Sequence, residues 1–205
     1  MNYKNIRMII GLTGKIGSGK TTAADYLKTK GFIEYSMAQP LKEIGKIFGF
    51  SNEQLYGTQE QKLEIHEKWG ISAREFLQKI GTDIFRECVP KVLPNMKMDR
   101  TVWVDLFVMK QQKNPHLNYV ISDIRFLDEA DAILQLGGII IRVERDNNVS
   151  SNSGQEHIHK SETEMYKIPA TYVIDNNKLS IEQAKSKLDD ILNRSYIPNV
   201  TDNRH

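Results

Sequence analysis

The stretch whose reading decides the fold runs from Gly11 to Leu27, GLTGKIGSGKTTAADYL. In front of it stands the apolar run Met8-Ile9-Ile10. Behind it, Thr22 to Lys30 places Ala23, Tyr26 and Leu27 at the three- and four-residue spacing of a helix that buries one face. The glycines therefore belong to a strand-to-helix turn. Within that turn Gly14-Lys15-Ile16-Gly17-Ser18-Gly19-Lys20-Thr21 matches G-x-x-x-x-G-K-[ST], the phosphate-binding loop. Glycines let the backbone curl until several N–H groups converge on phosphate oxygens, and the helix N-terminus adds partial positive charge. Lys20 is expected to reach the outer phosphates and Thr21 a magnesium ion, with Gly14 through Thr22 forming the contact surface. The competing reading is an ordinary glycine-rich turn with a surface lysine. The strand, loop and helix in sequence argue against it, and the expected ligand is a nucleoside triphosphate such as ATP.

Composition narrows the rest. The 205 residues are 40% hydrophobic and 26% charged, the profile of a globular chain with one sizeable core, so a single domain over 1–205 is expected. A net charge of +2 without a long basic run gives no sign of a nucleic-acid surface. One cysteine, Cys88, excludes an internal disulfide framework and reads as a small apolar helix residue in a reducing cytoplasm. No stretch approaches the roughly 18 apolar residues of a membrane span, and Met8 to Leu12 is too short for a signal peptide.

Along the chain, short apolar runs alternate with helical patterns. Phe32 to Met37 reads as a second strand, and Pro40 opens a helix to about Phe48. Ser51 to Gly70 is polar and reads as a helical excursion; Ser72-Ala73-Arg74-Glu75 is a capping box starting a helix with Phe76, Leu77 and Ile80 inward. Pro90 to Arg100 reads as a loop, Val102 to Gln112 as an amphipathic helix, and Tyr119 to Ile121 as a buried strand ending at Ser122-Asp123. A helix over Phe126 to Leu136 stops at Gly137-Gly138, followed by a strand over Ile139 to Val143. Asp146 to Gly154 is a polar segment, Tyr172 to Ile174 a last strand, and Ser180 caps a final helix to about Arg194. Strands without clean polar alternation predict an α/β fold with a parallel sheet covered by helices on both faces. In such sheets ligands lie beyond the carboxyl ends of the strands, where the loop, Asp123 and Arg145 would meet.

The loop does not settle the reaction. A GTPase would carry N-K-x-D and D-x-x-G, whereas Asn177-Lys178-Leu179-Ser180 lacks the aspartate and Asp123-Ile124-Arg125-Phe126 lacks the glycine. A small phosphotransferase fits better. Asp123 suits magnesium or caps the helix that follows it. Arg74, Arg86, Arg125, Arg142 and Arg145 offer planar forks for phosphate oxygens, although Arg142, inside a strand, is placed to pack or pair. Arg145 opens a polar segment that reads either as a lid or as a surface loop. His157 and His159 within it are a weak zinc signal and read as polar lid residues.

Several segments in order then resemble the bacteriophage-type deoxynucleoside monophosphate kinases. Tyr35 to Lys42, Arg74-Glu75-Phe76-Leu77-Gln78-Lys79-Ile80-Gly81-Thr82-Asp83, Trp103 to Phe107, Asp123-Ile124-Arg125 with Glu129, Gly137-Gly138, Val143-Glu144-Arg145, His159 to Glu162 and Val173 to Asn177 carry the resemblance from about Met8 to Leu192. It implies a P-loop nucleoside-monophosphate-kinase-like fold with a helical region for the monophosphate at about 40–113 and a lid at about 144–170. The implied donor is ATP with Mg²⁺, held by the loop, Thr21 and Asp123. The implied acceptor is a deoxynucleoside monophosphate contacted by Lys42, Arg74, Gln78, Asp83, Trp103, Arg125 and Glu129. Within that set Asp83 can also cap locally, Trp103 can be core, and Glu129 can position its helix. Catalysis is implied for Lys20, Asp123, Arg125 and Arg145, and a homodimer is a possibility. The runner-up is dephospho-coenzyme A kinase, whose loop is very like Gly11 to Lys20 but which is not similar to the Gly81-Thr82-Asp83 or Asp123-Ile124-Arg125 segments. A non-catalytic nucleotide-binding module stays open as a third reading.

Overall fold

The computed structural model describes residues 7–96, 101–146 and 165–195. The expectations for most of the lid at 144–170, for His157, His159 and the His159 to Glu162 segment, and for the tail after Pro198 lie outside the described residues. So does the end of the loop expected up to Arg100.

Five strands form one parallel sheet in the order β2-β3-β1-β4-β5, with β1 Ile9–Thr13, β2 Phe32–Tyr35, β3 Asn118–Ile121, β4 Ile139–Glu144 and β5 Tyr172–Asp175. Every residue of β1 is buried, because a central parallel strand meets helices on both faces and strands on both edges. The register sets Ile10 beside both Val120 of β3 and Ile139 of β4. On one face Met8, Ile10 and Leu12 pack with Ala23, Ala24 and Leu27 of α1 (Lys20–Thr29) and with Leu188, Ile191 and Leu192 of the C-terminal helix Ile181–Ser195. The helix Leu127–Gln135 lies on β1 and β4, its Ile133 fully buried. Two positions against the sheet, Gly11 within β1 and Gly138 just before β4, are occupied by glycine for a steric reason: a Cβ on Gly11 would stand 2.6 Å from Ile140 Cδ1 and 3.0 Å from Ile124 Cγ1, and one on Gly138 2.7 Å from the carbonyl oxygen of Ile9. This compact unit comprises residues 1–35 and 114–205, and Ser180 caps its last helix reciprocally with Gln183.

Residues 36–113 form a second compact unit. It contains α2 Gln39–Ile47 with Pro40 in its first turn, α3 Asn52–Tyr56, α4 Gln59–Leu63, α5 Ala73–Gln78, α6 Val89–Val92 and α7 Val102–Lys113. In chain order the two helices of the sheet unit already described are then α8 (Leu127–Gln135) and α9 (Ile181–Ser195). Three differences from the sequence reading stand out. The polar stretch after Ser51 is two short helices, each closed by its own capping box, at Ser51 with Gln54 and Thr58 with Gln61. At Ser72 only half the box forms: the hydroxyl accepts from the Glu75 N–H, while the Glu75 carboxylate pairs instead with Lys79 at 2.9 Å. Beyond α5 the helix widens to π geometry over Lys79–Cys88, seen where the Val89 N–H reaches the Ile84 carbonyl, and Pro90 sits in the first turn of α6, where a loop was expected. Phe50, Leu55, Ala73 and Phe76 form this unit's core, with Phe48, His66 and Trp69 stacked beside it. No helix among the described residues is long and apolar enough to cross a membrane.

Gly138→Ala should lower stability by roughly 1–3 kcal/mol, because the added methyl meets backbone oxygen on a buried strand approach. Gly31→Ala, with nothing within 4 Å of its Cβ but a φ of +91°, should cost only the left-handed backbone penalty, roughly 1–2 kcal/mol. Denaturant midpoints of the two variants check the difference in mechanism: trimming the Ile133 side chain should not restore Gly138→Ala, because two of the three atoms it meets are backbone oxygens.

Candidate active site

Four strand ends meet at the carboxyl edge of the sheet, and each contributes one piece of the site. β1 delivers the loop. Gly14, Gly17 and Gly19 have φ of 140°, 79° and 109°, values that side-chain-bearing residues rarely adopt. A Cβ on Gly14 would overlap the carbonyl oxygen of Val143 at the end of β4, so the loop lies directly on its neighbour strand. Ser18 is fully buried, its N–H bonded to the Lys15 carbonyl at 3.2 Å, while Thr21 and Thr22 are exposed on the first turn of α1. The Lys20 ammonium folds back onto the loop, donating to the carbonyls of Gly14 at 2.5 Å and Lys15 at 2.7 Å.

β3 delivers Asp123 and Arg125. Beyond its last residue the chain keeps pairing, Ser122 N–H to Tyr35 carbonyl at 3.1 Å and Ile124 N–H to Leu12 carbonyl at 3.1 Å, which holds Asp123 at the height of the loop. The turn that follows is fixed by Glu129: its carboxylate, 3% exposed, accepts the N–H groups of Arg125 at 2.8 Å and Phe126 at 3.1 Å. Glu129 thus supplies the acceptor at the N-terminus of α8, a role that the sequence reading weighed for Asp123. Asp123 is half-buried and Arg125 exposed. Both act on Lys20. Burial lowers the Lys20 ammonium to about 8, the Arg125 guanidinium pushes it the same way, and the Asp123 carboxylate opposes them. A lysine poised this far down is short of negative charge, which an incoming phosphate supplies.

β4 delivers Arg145, exposed, its Nε donating to the Asn176 carbonyl at 3.3 Å. Arg142, within the strand, pairs as expected: it donates to the Ile168 carbonyl and lies 3.7 Å from Glu144. β5 delivers Asn176, which the sequence reading placed in the Val173 to Asn177 segment without a role of its own. Its side-chain amide donates to the Ser18 carbonyl at 2.8 Å. A groove of about 210 Å³ opens beside Gly19, Thr22, Arg145 and Asn176, walled by Val143 and Leu179. A second hollow of about 160 Å³ is lined by Gly14, Lys15, Arg145 and Tyr166.

The remaining expected residues belong to the helical unit. Lys42 places its ammonium 4.6 Å over the Tyr56 ring, Arg74 reaches Gln59 at 3.5 Å, Gln78 is half-buried and Asp83 exposed. Burial decides one open alternative here and corrects one expectation. Trp103 is core, 4% exposed, with its ring N–H on the Gly81 carbonyl at 3.2 Å and its face against Phe85, so it offers no stacking surface to a base. Arg86, counted among the available phosphate forks, is 2% exposed in the π-helical segment. Glu129 likewise serves its own helix turn through the one oxygen that holds two N–H groups. Sequence spacing could not separate these from surface residues, because their burial comes from other parts of the chain.

A family model for deoxynucleotide monophosphate kinase matches residues 45–188. That match begins beyond the phosphate loop, so loop and match are separate observations. An Acanthamoeba polyphaga mimivirus protein assigned as a deoxynucleotide monophosphate kinase is 40% identical over 190 residues, covering 88% of this chain and 94% of that protein. Among solved structures, TT1252 from Thermus thermophilus is similar at 19% identity and a TM-score of 0.48, covering 92% of this chain and 97% of its own. A dephospho-CoA kinase from Campylobacter jejuni is similar at 16% identity and a TM-score of 0.45, covering 92% of this chain and 98% of its own. By the family model and the viral relative together, the chain belongs to the deoxynucleotide monophosphate kinase family.

Proposed function

We propose that the enzyme moves the γ-phosphoryl group of ATP to a deoxynucleoside 5′-monophosphate, giving the diphosphate. The observation that carries this is the convergence of Lys20, Asp123 and Arg125 at the mouth of the phosphate loop in a chain of this family. The loop fits a polyphosphate: Gly14 and Gly19 leave no room for side chains, and its lysine is held by carbonyls that an anion can outcompete. The donor set also fits magnesium, since the exposed Thr21 hydroxyl and the Asp123 carboxylate are hard oxygen ligands that leave room for phosphate oxygens and water. Magnesium held there by Thr21 and Asp123 would supply neutralisation of the charge that develops during transfer.

The chain's own residues do the rest. Lys20 leaves its two carbonyls and neutralises the outer phosphates. Arg125, fixed in its turn by Glu129, supplies a planar fork to the phosphoryl group in transit, and Arg145 does so from the opposite strand end. The apolar-walled groove beside Thr22 and Arg145 takes the donor's base. The acceptor oxygen is already anionic, so no protein nucleophile is required, and orientation with charge neutralisation supplies the rate. Arg74, Gln78, Asp83 and Lys42 remain the acceptor-side residues of this reading, without Trp103.

The experiment is an ADP-release assay with Mg·ATP against each deoxynucleoside monophosphate, each ribonucleoside monophosphate and dephospho-coenzyme A, with product mass determined. Turnover of deoxynucleotides, lost by at least about 10²-fold in Lys20→Ala, is the expected result. Turnover of dephospho-coenzyme A alone would replace this reading with the runner-up, and none with any acceptor would favour a binding module. A second test uses proton linkage. Free Lys20 titrates at about 8, and bound phosphate must raise that value, so ATP affinity is full below pH 8 and falls as pH rises through 8 to 9. Calorimetry of ATP binding with EDTA present, in buffers of different ionisation enthalpy, should show proton uptake near pH 8.5 that shrinks as pH is lowered toward 7.5, still above the range where the terminal phosphate of ATP titrates.

A further inference from the structure

Ser18 has no exposure at all, and its hydroxyl finds no hydrogen-bond partner among the described residues. Its carbonyl is nevertheless held, by a residue 158 positions away: Asn176, 8% exposed, donates its side-chain amide there at 2.8 Å. The same residue ties two further pieces through its backbone. Its N–H donates to the Glu144 carbonyl at 2.7 Å, and its own carbonyl accepts from Arg145 Nε at 3.3 Å. The fit is close, since a Cβ on Gly19 would stand 2.5 Å from the Asn176 amide nitrogen. The next residue repeats the grip. Asn177 accepts the Asp146 N–H at 2.6 Å and returns its amide to the Asp146 carboxylate at 3.1 Å.

We infer that Asn176 is a positioning residue for phosphoryl transfer: it locks the phosphate loop and Arg145 into one register, so that nucleotide binding and arginine placement are set together. The inference rests on the loop being the nucleotide site. The chemistry asks for this residue type. A neutral donor short enough to reach the Ser18 carbonyl satisfies a buried acceptor without adding negative charge where a polyphosphate must enter. Aspartate has the same shape but accepts only, and it would repel both the Ser18 carbonyl and the ligand. A buried hydrogen bond between neutral groups is worth a few-fold in an equilibrium constant, and leaving its acceptor unpaired raises that to about 5–100-fold.

Three variants test it, each read by calorimetric ATP affinity, by the thermal unfolding midpoint and by steady-state kinetics. Asn176→Ala should weaken ATP about 5–100-fold, and Asn176→Asp more, while the acceptor KM changes less than about twofold. Asn177→Ala, which leaves the Ser18 contact in place, should keep ATP affinity within about twofold. In an Arg145→Ala background the loss of kcat caused by Asn176→Ala should shrink, since the substitution frees the loop from the backbone that holds Arg145 and there is then no arginine to fall out of register with it. If Asn176→Ala does not fold, the isosteric Asn176→Asp decides alone. ATP affinity within twofold of wild type in the folded variant overturns the inference while leaving the nucleotide site intact. Absence of ATP binding by the unsubstituted protein overturns both.

Discussion

The site depends on one steric condition, the absence of side chains where the loop crosses its neighbours. At Gly14 the backbone lies against the Val143 carbonyl, and at Gly19 against the Asn176 amide. Any larger residue would lift the loop off β4 and β5, separating Lys20 from the strand ends. The positive φ values at both positions rule out other residues a second time, on conformational grounds. A loop so constrained needs an unyielding base, and β1 provides it: five buried residues, paired on both sides and covered on both faces. The fold and the site are therefore one piece of engineering around a single strand.

Charge is arranged around that piece so that the resting site wants an anion. Lys20 is partly desolvated and feels the cationic Arg125, which the Asp123 carboxylate opposes. In the meantime its ammonium borrows the carbonyls of Gly14 and Lys15. Two buried polar side chains keep the surrounding turns in place, Glu129 under Arg125 and Asn176 under the loop. Glu129 fixes the backbone of Arg125, and Asn176 that of Ser18 in the loop. This is how exposed arginines can be placed reproducibly on turns at strand ends.

Much of this was legible in the sequence because it is local. The loop motif, the apolar run before it and the helical spacing after it sit within twenty residues, and the strand ends at Asp123 and Arg145 follow from short apolar runs. What escaped is what depends on distant partners. Trp103 and Arg86 look like surface chemistry until the π-helical segment and its neighbours bury them. The capping box at Ser72 is complete as a string, but Lys79 takes the glutamate. Phe48, Phe50, His66, Trp69 and Phe76 are too widely spaced to announce a cluster, which left a packed helical unit looking like a polar excursion. Asn176 lies in the Val173 to Asn177 segment of the resemblance, but the string alone does not reveal that its partner is Ser18, 158 positions away.

The most direct measurement of the central claim is an amide spectrum of protein labelled with ¹⁵N at its 13 glycines, titrated with ATP. If the loop holds the triphosphate, the N–H signals of Gly14, Gly17 and Gly19 move together and saturate, while those of Gly31 and Gly137, which have positive φ but lie in other turns, stay in place. Saturating shifts that spare the three loop glycines would place the nucleotide elsewhere and contradict the account at its foundation.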